Sequence, residues 1–246
     1  MQTIDMGSAK IEEQPLRCVL YGEAGAGKTH LMREFPKPML VYDFDGKYEP
    51  LVGVEGITVK SFRAEDRTQC AKVWTEFWDE WKKDKKDSQW ATYVVDSLTS
   101  LDMLMFFTQV TKSGLNPMNK KSYDKFTRGL WGDVKDTYSM LFNSMRSSGK
   151  HVIILAHELF REDDEGKLLS VTPLVSGSMK NIITALFKDT WYLERKGTAP
   201  NEKRFLHYKK FKYRVCTSVM MNDSSGVIEK PTYDKIVAAY RKEKSK

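Results

Sequence analysis

The chain has 246 residues, of which 41% are hydrophobic and 30% charged, with a net charge of +7 and three cysteines. This composition excludes disordered and fibrous classes and suits one large α/β domain, or a domain with a small appendage. No apolar run reaches membrane-span length, and Cys18, Cys70 and Cys216 form neither a zinc pattern nor a disulfide framework, so a protein of a reducing cytoplasm with no membrane contact is expected.

The first residues lack the charged and apolar blocks of a signal peptide, and residues 1–15 read as a loose polar arm. Residues 17–21 read as a short buried strand. Gly22, Glu23, Ala24, Gly25, Ala26, Gly27, Lys28 and Thr29 follow, fitting G-x-x-x-x-G-K-[ST], the phosphate-binding P-loop. A glycine-rich turn between strand and helix lets backbone N–H groups converge on an anion. Lys28 would reach the β/γ-phosphates and the Thr29 hydroxyl would bind Mg²⁺. Residues 29–35 predict a helix that stops before Pro36.

Residues 38–43 predict a second strand and residues 56–60 a third. Over 65–84, Cys70, Val73, Trp74, Phe77, Trp78 and Trp81 recur near helical spacing, as core packing rather than as a stacking surface. Residues 90–96 form an apolar strand ending in Asp96. A helix over 99–110, a polar loop over 111–122 and a long helix over 123–147 follow, the last with Phe126, Leu130, Trp131, Val134, Tyr138, Leu141 and Phe142 facing inward and Gly149 ending it. Residues 151–156 are another buried strand, 160–176 a second polar loop and 178–187 a helix. Beyond Thr190, the alternating runs 191–193, 205–208 and 213–216 predict antiparallel strands. Pro231 opens a last helix whose Ile236, Val237 and Tyr240 share a face.

The alternation implies an α/β fold: a mainly parallel twisted sheet flanked by helices, with antiparallel strands toward the C-terminus. Residues 16–220 would be the core and 221–246 a C-terminal helical extension. Ligands of such sheets sit at the carboxyl ends of the strands, where the P-loop, Asp43 and Asp45, Asp96, and His157 and Glu158 all fall. Asp96 suits the Mg²⁺ shell; it could instead cap the next helix, for which Ser97 and Ser100 are equally suited. Asp45 is the first candidate for positioning an attacking water and Asp43 the second, although residues 43–46 also read as a plain turn. His157 and Glu158 could read the γ-phosphate and relay its state, or His157 could be structural. A guanine-reading N-K-x-D is missing, since Asn119-Lys120-Lys121-Ser122 ends in serine, so ATP is expected over GTP. No Arg-rich lid of a small-molecule kinase is evident.

The ordered motifs resemble the RecA-type recombinase core, and within it a compact group of phage RecA-like P-loop nucleotide-binding proteins, some associated with single-strand annealing. The resemblance is carried by Tyr21 to Thr29, Phe35-Pro36-Lys37-Pro38, Asp43-Phe44-Asp45-Gly46, Tyr93-Val94-Val95-Asp96-Ser97-Leu98, Ala156-His157-Glu158 and the run from Lys209 to Arg214. Asp45 stands where RecA usually carries a catalytic glutamate, and Glu158 where recombinases usually carry glutamine. The resemblance implies ATP and Mg²⁺ binding, slow ATP hydrolysis, single-stranded DNA binding in phage recombination or replication within the bacterial host cytoplasm, and assembly into a ring or filament, with other phage replication or recombination proteins as candidate partners.

It further implies that loops 111–128 and 160–180 face DNA. The first offers Lys112, Lys120, Lys121, Lys125 and Arg128 to phosphates and Tyr123 to a base. The second offers Arg161, Lys167 and Lys180 beside the acidic run 162–165. Lys212 and Arg214 resemble basic residues lent to a neighbour's ATP, although 209–214 also reads as a basic edge strand. From residue 195 onward there are 14 lysines and arginines against 5 acids, which suits a polyanionic partner or a solvated basic surface. A nucleotide-gated loader or scaffold with little hydrolysis is the alternative to a DNA-dependent ATPase.

Overall fold

Strands and helices alternate along the chain as the apolar pattern switches between periods of two and 3.6. The computed structural model describes residues 14–176, 179–187, 189–198, 200–221 and 224–241, apart from the side chains at 180, 181, 240 and 241. In order the elements are β1 (Arg17–Tyr21), α1 (Lys28–Met32), β2 (Met39–Asp43), β3 (Ile57–Ser61), α2 (Cys70–Asp84), β4 (Thr92–Asp96), α3 (Leu98–Lys112), α4 (Lys120–Tyr123), α5 (Thr127–Arg146), β5 (His151–Ala156), β6 (Glu158–Glu162), β7 (Leu168–Pro173), α6 (Met179–Leu186), β8 (Asp189–Lys196), β9 (Lys203–His207), β10 (Val227–Glu229) and α7 (Tyr233–Arg241).

Among the described residues, eight strands form one sheet in the order β10-β9-β8-β1-β5-β4-β2-β3. Six are parallel from β3 to β8, and β9 pairs antiparallel with both β8 and β10. The register is level: Tyr21 lies opposite Ala156 and Tyr192, Asp96 opposite Asp43 and Leu155. Level strand ends bring everything that follows them to one edge of the sheet.

Strands buried on both faces send alternate residues into two cores. Val19, Tyr21, Leu40, Tyr42, Tyr93, Val95, Val152 and Ile154 pack on one face with Phe77 and Trp81 of α2, Tyr138 and Phe142 of α5, and Ile183 of α6. Cys18, Leu20, Met39, Val41, Val94, Ile153 and Leu155 pack on the other with Leu31, Met32 and Phe35 and with Ile236 and Ala239 of α7. The aromatic stripe of α2 is core: Trp81 is fully buried, edge-on to Tyr42 and Tyr93, and its indole N–H donates to Ser144 Oγ at 3.1 Å.

Several expectations are corrected. The loop expected at 160–176 is largely a hairpin of β6 and β7 with a register shift at Arg161/Glu162; its turn end is polar and exposed, while Val171 of β7 is buried in the core. Residues 213–216 do not form a strand; Arg214 alone among them makes isolated bridges, to Val171 and Phe211. Phe126, expected to face inward, is 50% exposed, because a 3-10 turn over Asp124–Phe126 shifts the helical phase ahead of α5. Within residues 221–246, β10 is an edge strand of the sheet, and Ile236 and Ala239 of α7 pack into its core. Tyr240's side chain, expected on the inner face of α7, lies outside the described residues, as do residues 1–13 of the expected arm.

Candidate nucleotide-binding site

β1 delivers the chain to the P-loop at full burial. The Tyr21 hydroxyl lies 3.2 Å from Val171 O and 3.0 Å from Val215 O, its proton serving one at a time. A Cβ on Gly22 would collide with the backbone carbonyl of Leu193 in β8, so the loop starts where only glycine fits. Gly25 and Gly27 hold φ of +78° and +94°, left-handed values that carry no Cβ penalty in glycine. Ala26 N donates to Glu23 O at 3.1 Å and Leu31 N to Gly27 O at 2.9 Å, which closes the loop onto α1. Lys28 is buried and lies across its own loop, its ammonium donating to Gly22 O at 2.9 Å and Glu23 O at 3.0 Å. Burial lowers its pKa, opposed by the nearby carboxylates of Asp96, Glu158 and Asp45.

Thr29 Oγ1 donates to Asp96 Oδ2 at 2.8 Å, joining the first helical turn after β1 to the end of β4. Burial raises the Asp96 pKa to about 6, with Asp45 and Asp43 adding to it and the Thr29 bond and Lys28 opposing it. Asp96 is not the cap of α3; that is Ser97, which accepts from Ser100 N at 3.4 Å. Among the described residues no three His, Cys, Asp or Glu side chains are gathered to hold a metal alone. One hydroxyl and one carboxylate in contact fit Mg²⁺ in the form that also takes oxygens from phosphates.

The two acids after β2 divide. Asp43 accepts from Asp45 N at 3.1 Å, Gly46 N at 2.8 Å and Ser61 Oγ at 2.7 Å, so it builds the turn. Asp45 faces the cleft, accepting from Ser97 Oγ at 3.0 Å and from Ser100 Oγ, with His157 Nε2 at 3.3 Å. Burial alone would raise its pKa; bonds from His157, Ser100 and Ser97 outweigh that and hold it at about 2. His157 is fixed at its backbone too, its N–H donating to Thr99 Oγ1 at 3.3 Å. Glu158 does not line this cleft. Its Oε2 is buried without a hydrogen-bond partner, burial raises its pKa, and its neighbours are Tyr192 and Arg214.

The cleft holds about 460 Å³ and is lined by Gly25, Gly27, Lys28, Thr29, Asp45 and Asp96, with His157, Lys47 and Arg204 at its margins. Arg204 was not legible as a site residue; it is the second residue of β9 and no motif marks it. Lys212 and Arg214 sit elsewhere. The Lys212 ammonium lies 5.3 Å from the Phe211 ring centre at a residue of φ +51°. The Arg214 guanidinium lies 4.6 Å from the Tyr192 ring centre and leaves Nε buried without a partner. Neither belongs to an edge strand.

The residues expected to face DNA separate. Lys112, Lys120, Lys121, Lys125, Arg128, Arg161 and Lys167 are exposed. Tyr123 is not available to a base: it is 7% exposed and packs edge-on between Phe106 and Phe107. The expectation read a polar loop where the short helix α4 turns Tyr123 into the aromatic core. Lys167 sits at the hairpin turn built by Asp163, whose carboxylate accepts from the backbone of Glu165 and Lys167. Lys180 belongs to α6, and its side chain lies outside those described.

The level sheet, the glycine-built loop and the Thr29–Asp96 contact define a P-loop α/β fold with a mainly parallel sheet flanked by helices. The chain belongs to the AAA domain family, whose model matches residues 14–223. Among solved structures it is similar to a KaiC-like protein from the hyperthermophilic archaeon Pyrococcus horikoshii OT3, at 11% identity and a TM-score of 0.43, over 89% of this chain and 90% of that one. A comparison with curated proteins gave no match. No described helix is long and apolar enough to cross a membrane.

Proposed function

We propose that the chain is a Mg²⁺-dependent ATPase that binds single-stranded DNA and assembles as a RecA-like oligomer in phage recombination or replication. The observation that carries the nucleotide part is the Thr29–Asp96 contact at 2.8 Å across the mouth of the P-loop, with ionised Asp45 beyond it. Bound Mg²⁺ would neutralise charge on the phosphates. Lys28 would exchange the carbonyls of Gly22 and Glu23 for phosphate oxygens, and the loop amides would hold the β-phosphate. Asp45 would orient the attacking water. Hydrogen bonds from His157, Ser100 and Ser97 hold it ionised, at a pKa of about 2, so it would act by position and charge more than as a strong base. His157, which touches Asp45 and begins the connection into the β6–β7 hairpin, would pass the occupancy of the site to that hairpin.

The DNA part rests on the exposed lysines before α5, Lys120, Lys121 and Lys125. Cations so placed release counterions from a phosphate backbone without reading sequence. The low basicity of Asp45 favours a second reading: a nucleotide-gated loader or scaffold that scarcely hydrolyses. One experiment separates the two, the ATPase rate with single-stranded DNA, duplex DNA and no DNA, with sedimentation in parallel. Stimulation by single strands together with larger assemblies is expected. ATP-dependent assembly with hydrolysis near background would move the conclusion to the loader, and failure to bind DNA at low salt with or without ATP would remove the DNA role.

A further inference from the structure

Arg195 of β8 and Arg204 of β9 are direct cross-strand partners. Like charges placed opposite one another repel, so a pair of arginines needs an anion between them. Glu202 supplies a partial one: its carboxylate is 3.0 Å from Arg204 Nη2 and 3.8 Å from Arg195 Nη1. One carboxylate against two guanidiniums leaves an excess of positive charge, and it leaves Arg204 Nε buried with no hydrogen-bond partner.

Both arginines lean on the P-loop. A Cβ on Gly27 would come within 2.8 Å of Arg204 Nε and 2.9 Å of its Cζ, and a Cβ on Gly25 within 3.8 Å of Arg195 Nη1. The glycines therefore leave room for guanidiniums as well as for a turn. Arg204 lines the same cleft as Lys28, Thr29 and Asp96 and meets the loop at Gly27, whereas Asp45 is bonded to Ser97 and Ser100, which follow Asp96, and to His157.

We infer that Arg204, seconded by Arg195, is a cation supplied from within the same chain to the polyphosphate held by the P-loop, and that Glu202 competes with the phosphates for it. The planar guanidinium can turn two N–H groups toward phosphate oxygens, and a polyphosphate presents more negative charge than one carboxylate. Its contact at Gly27, in the loop whose amides would cradle the α- and β-phosphates, assigns it to the phosphates common to ATP and ADP, not to the terminal one. This rests on the reading of the loop as a nucleotide site, and makes that site complete in its cations without a neighbouring subunit.

The test is titration of the full chain with fluorescent ATP and ADP analogues. Arg204→Ala should weaken both by roughly tenfold, the loss of one charge-assisted contact, and Arg204→Lys should recover part of it. Glu202→Gln should tighten both by about threefold, a result that a merely structural ion pair would not give. Thermal unfolding of each variant checks that it is folded. Wild-type binding lost in Lys28→Ala but kept within twofold in Arg204→Ala overturns the inference alone, as does Glu202→Gln weakening binding in step with Arg204→Ala. Wild-type protein that binds neither analogue overturns the nucleotide site and the inference together.

Discussion

The parallel part of the sheet and its antiparallel flank bring residues to the cleft in different ways. In the parallel part each candidate lies at, or within two residues of, a strand's carboxyl end: Gly22 after β1, Asp45 after β2, Asp96 at the end of β4, His157 after β5. Strand direction alone gathers them. Arg195 and Arg204 instead occupy strand positions on β8 and β9, and reach the P-loop only because β8 pairs with β1 and β9 with β8 in a particular register. The chemistry of the parallel part follows from topology, while that of the flank follows from pairing, and a one-residue slip of β9 would turn Arg204 to the opposite face.

The largest expected effect tests the parallel part. Lys28→Ala should weaken ATP binding at least a hundredfold, about 3 kcal/mol, by fluorescent nucleotide titration or calorimetry. A variant within a few-fold of wild type would break the comparison, because the cleft would then draw its affinity from the flank. Next is the seam between the two regions. Gly22→Ala would push a methyl group into the carbonyl of Leu193, which rigid backbone cannot yield without shifting β8. A cost of about 2 kcal/mol is expected, read as a lower urea midpoint. An unchanged midpoint would mean that β8 adjusts freely and that the register of the flank is not held by the loop.

Asp96 gives an effect of opposite sign. Its folded pKa is about 6 against roughly 3.9 in an unfolded chain, so the folded state binds the proton more tightly. Stability contributed by protonated Asp96 is therefore complete below about pH 4 and is lost as pH rises through about 6. Asp96→Asn should raise the stability of the nucleotide-free protein by on the order of 2 kcal/mol at pH 7, a gain that shrinks toward pH 4, while weakening Mg²⁺–nucleotide binding. Asp45 runs the other way: its stabilisation is present above about pH 4 and is lost as pH falls toward 2. Chemical denaturation at a series of pH values distinguishes the two, and a destabilised Asp96→Asn at pH 7 would contradict the costly burial of this carboxylate.

What could be read from the sequence divides along the same line. The P-loop, the two acids after β2 and Asp96 were legible because each combines a local motif with a strand end, and local motifs need no knowledge of pairing. Even there the choice between Asp43 and Asp45 needed side-chain partners: the turn amides and Ser61 claim the first, Ser97, Ser100 and His157 the second. The β6–β7 hairpin was hidden because its apolar residues do not alternate with burial: Phe160 and Leu169 are about half exposed while Val171 is buried, and the charged run 162–165 between the strands reads as loop. Tyr123 was misplaced because a four-residue helix leaves almost no periodicity to read. Arg204 left no signal at all, since an arginine in an exposed-looking strand is ordinary until its cross-strand partner is known.

The smallest effect asks which region meets DNA. The excess of basic residues lies in the flank, where Lys209 and Lys210 are exposed, yet the lysines resembling a DNA-facing loop lie before α5, where Lys120 and Lys121 are exposed. Each lysine that contacts a phosphate of a single strand should contribute about 0.7 to the slope of log affinity against log salt. Lys120→Ala with Lys121→Ala should therefore lower that slope by about 1.4, and the same change at Lys209 and Lys210 should leave it unaltered. The reverse outcome would place the polyanion against the antiparallel flank, beside Arg195 and Arg204, and the two regions would then exchange roles. Tyr123→Phe should leave affinity unchanged in either case, because a ring packed between Phe106 and Phe107 cannot stack on a base without giving up its place in the core.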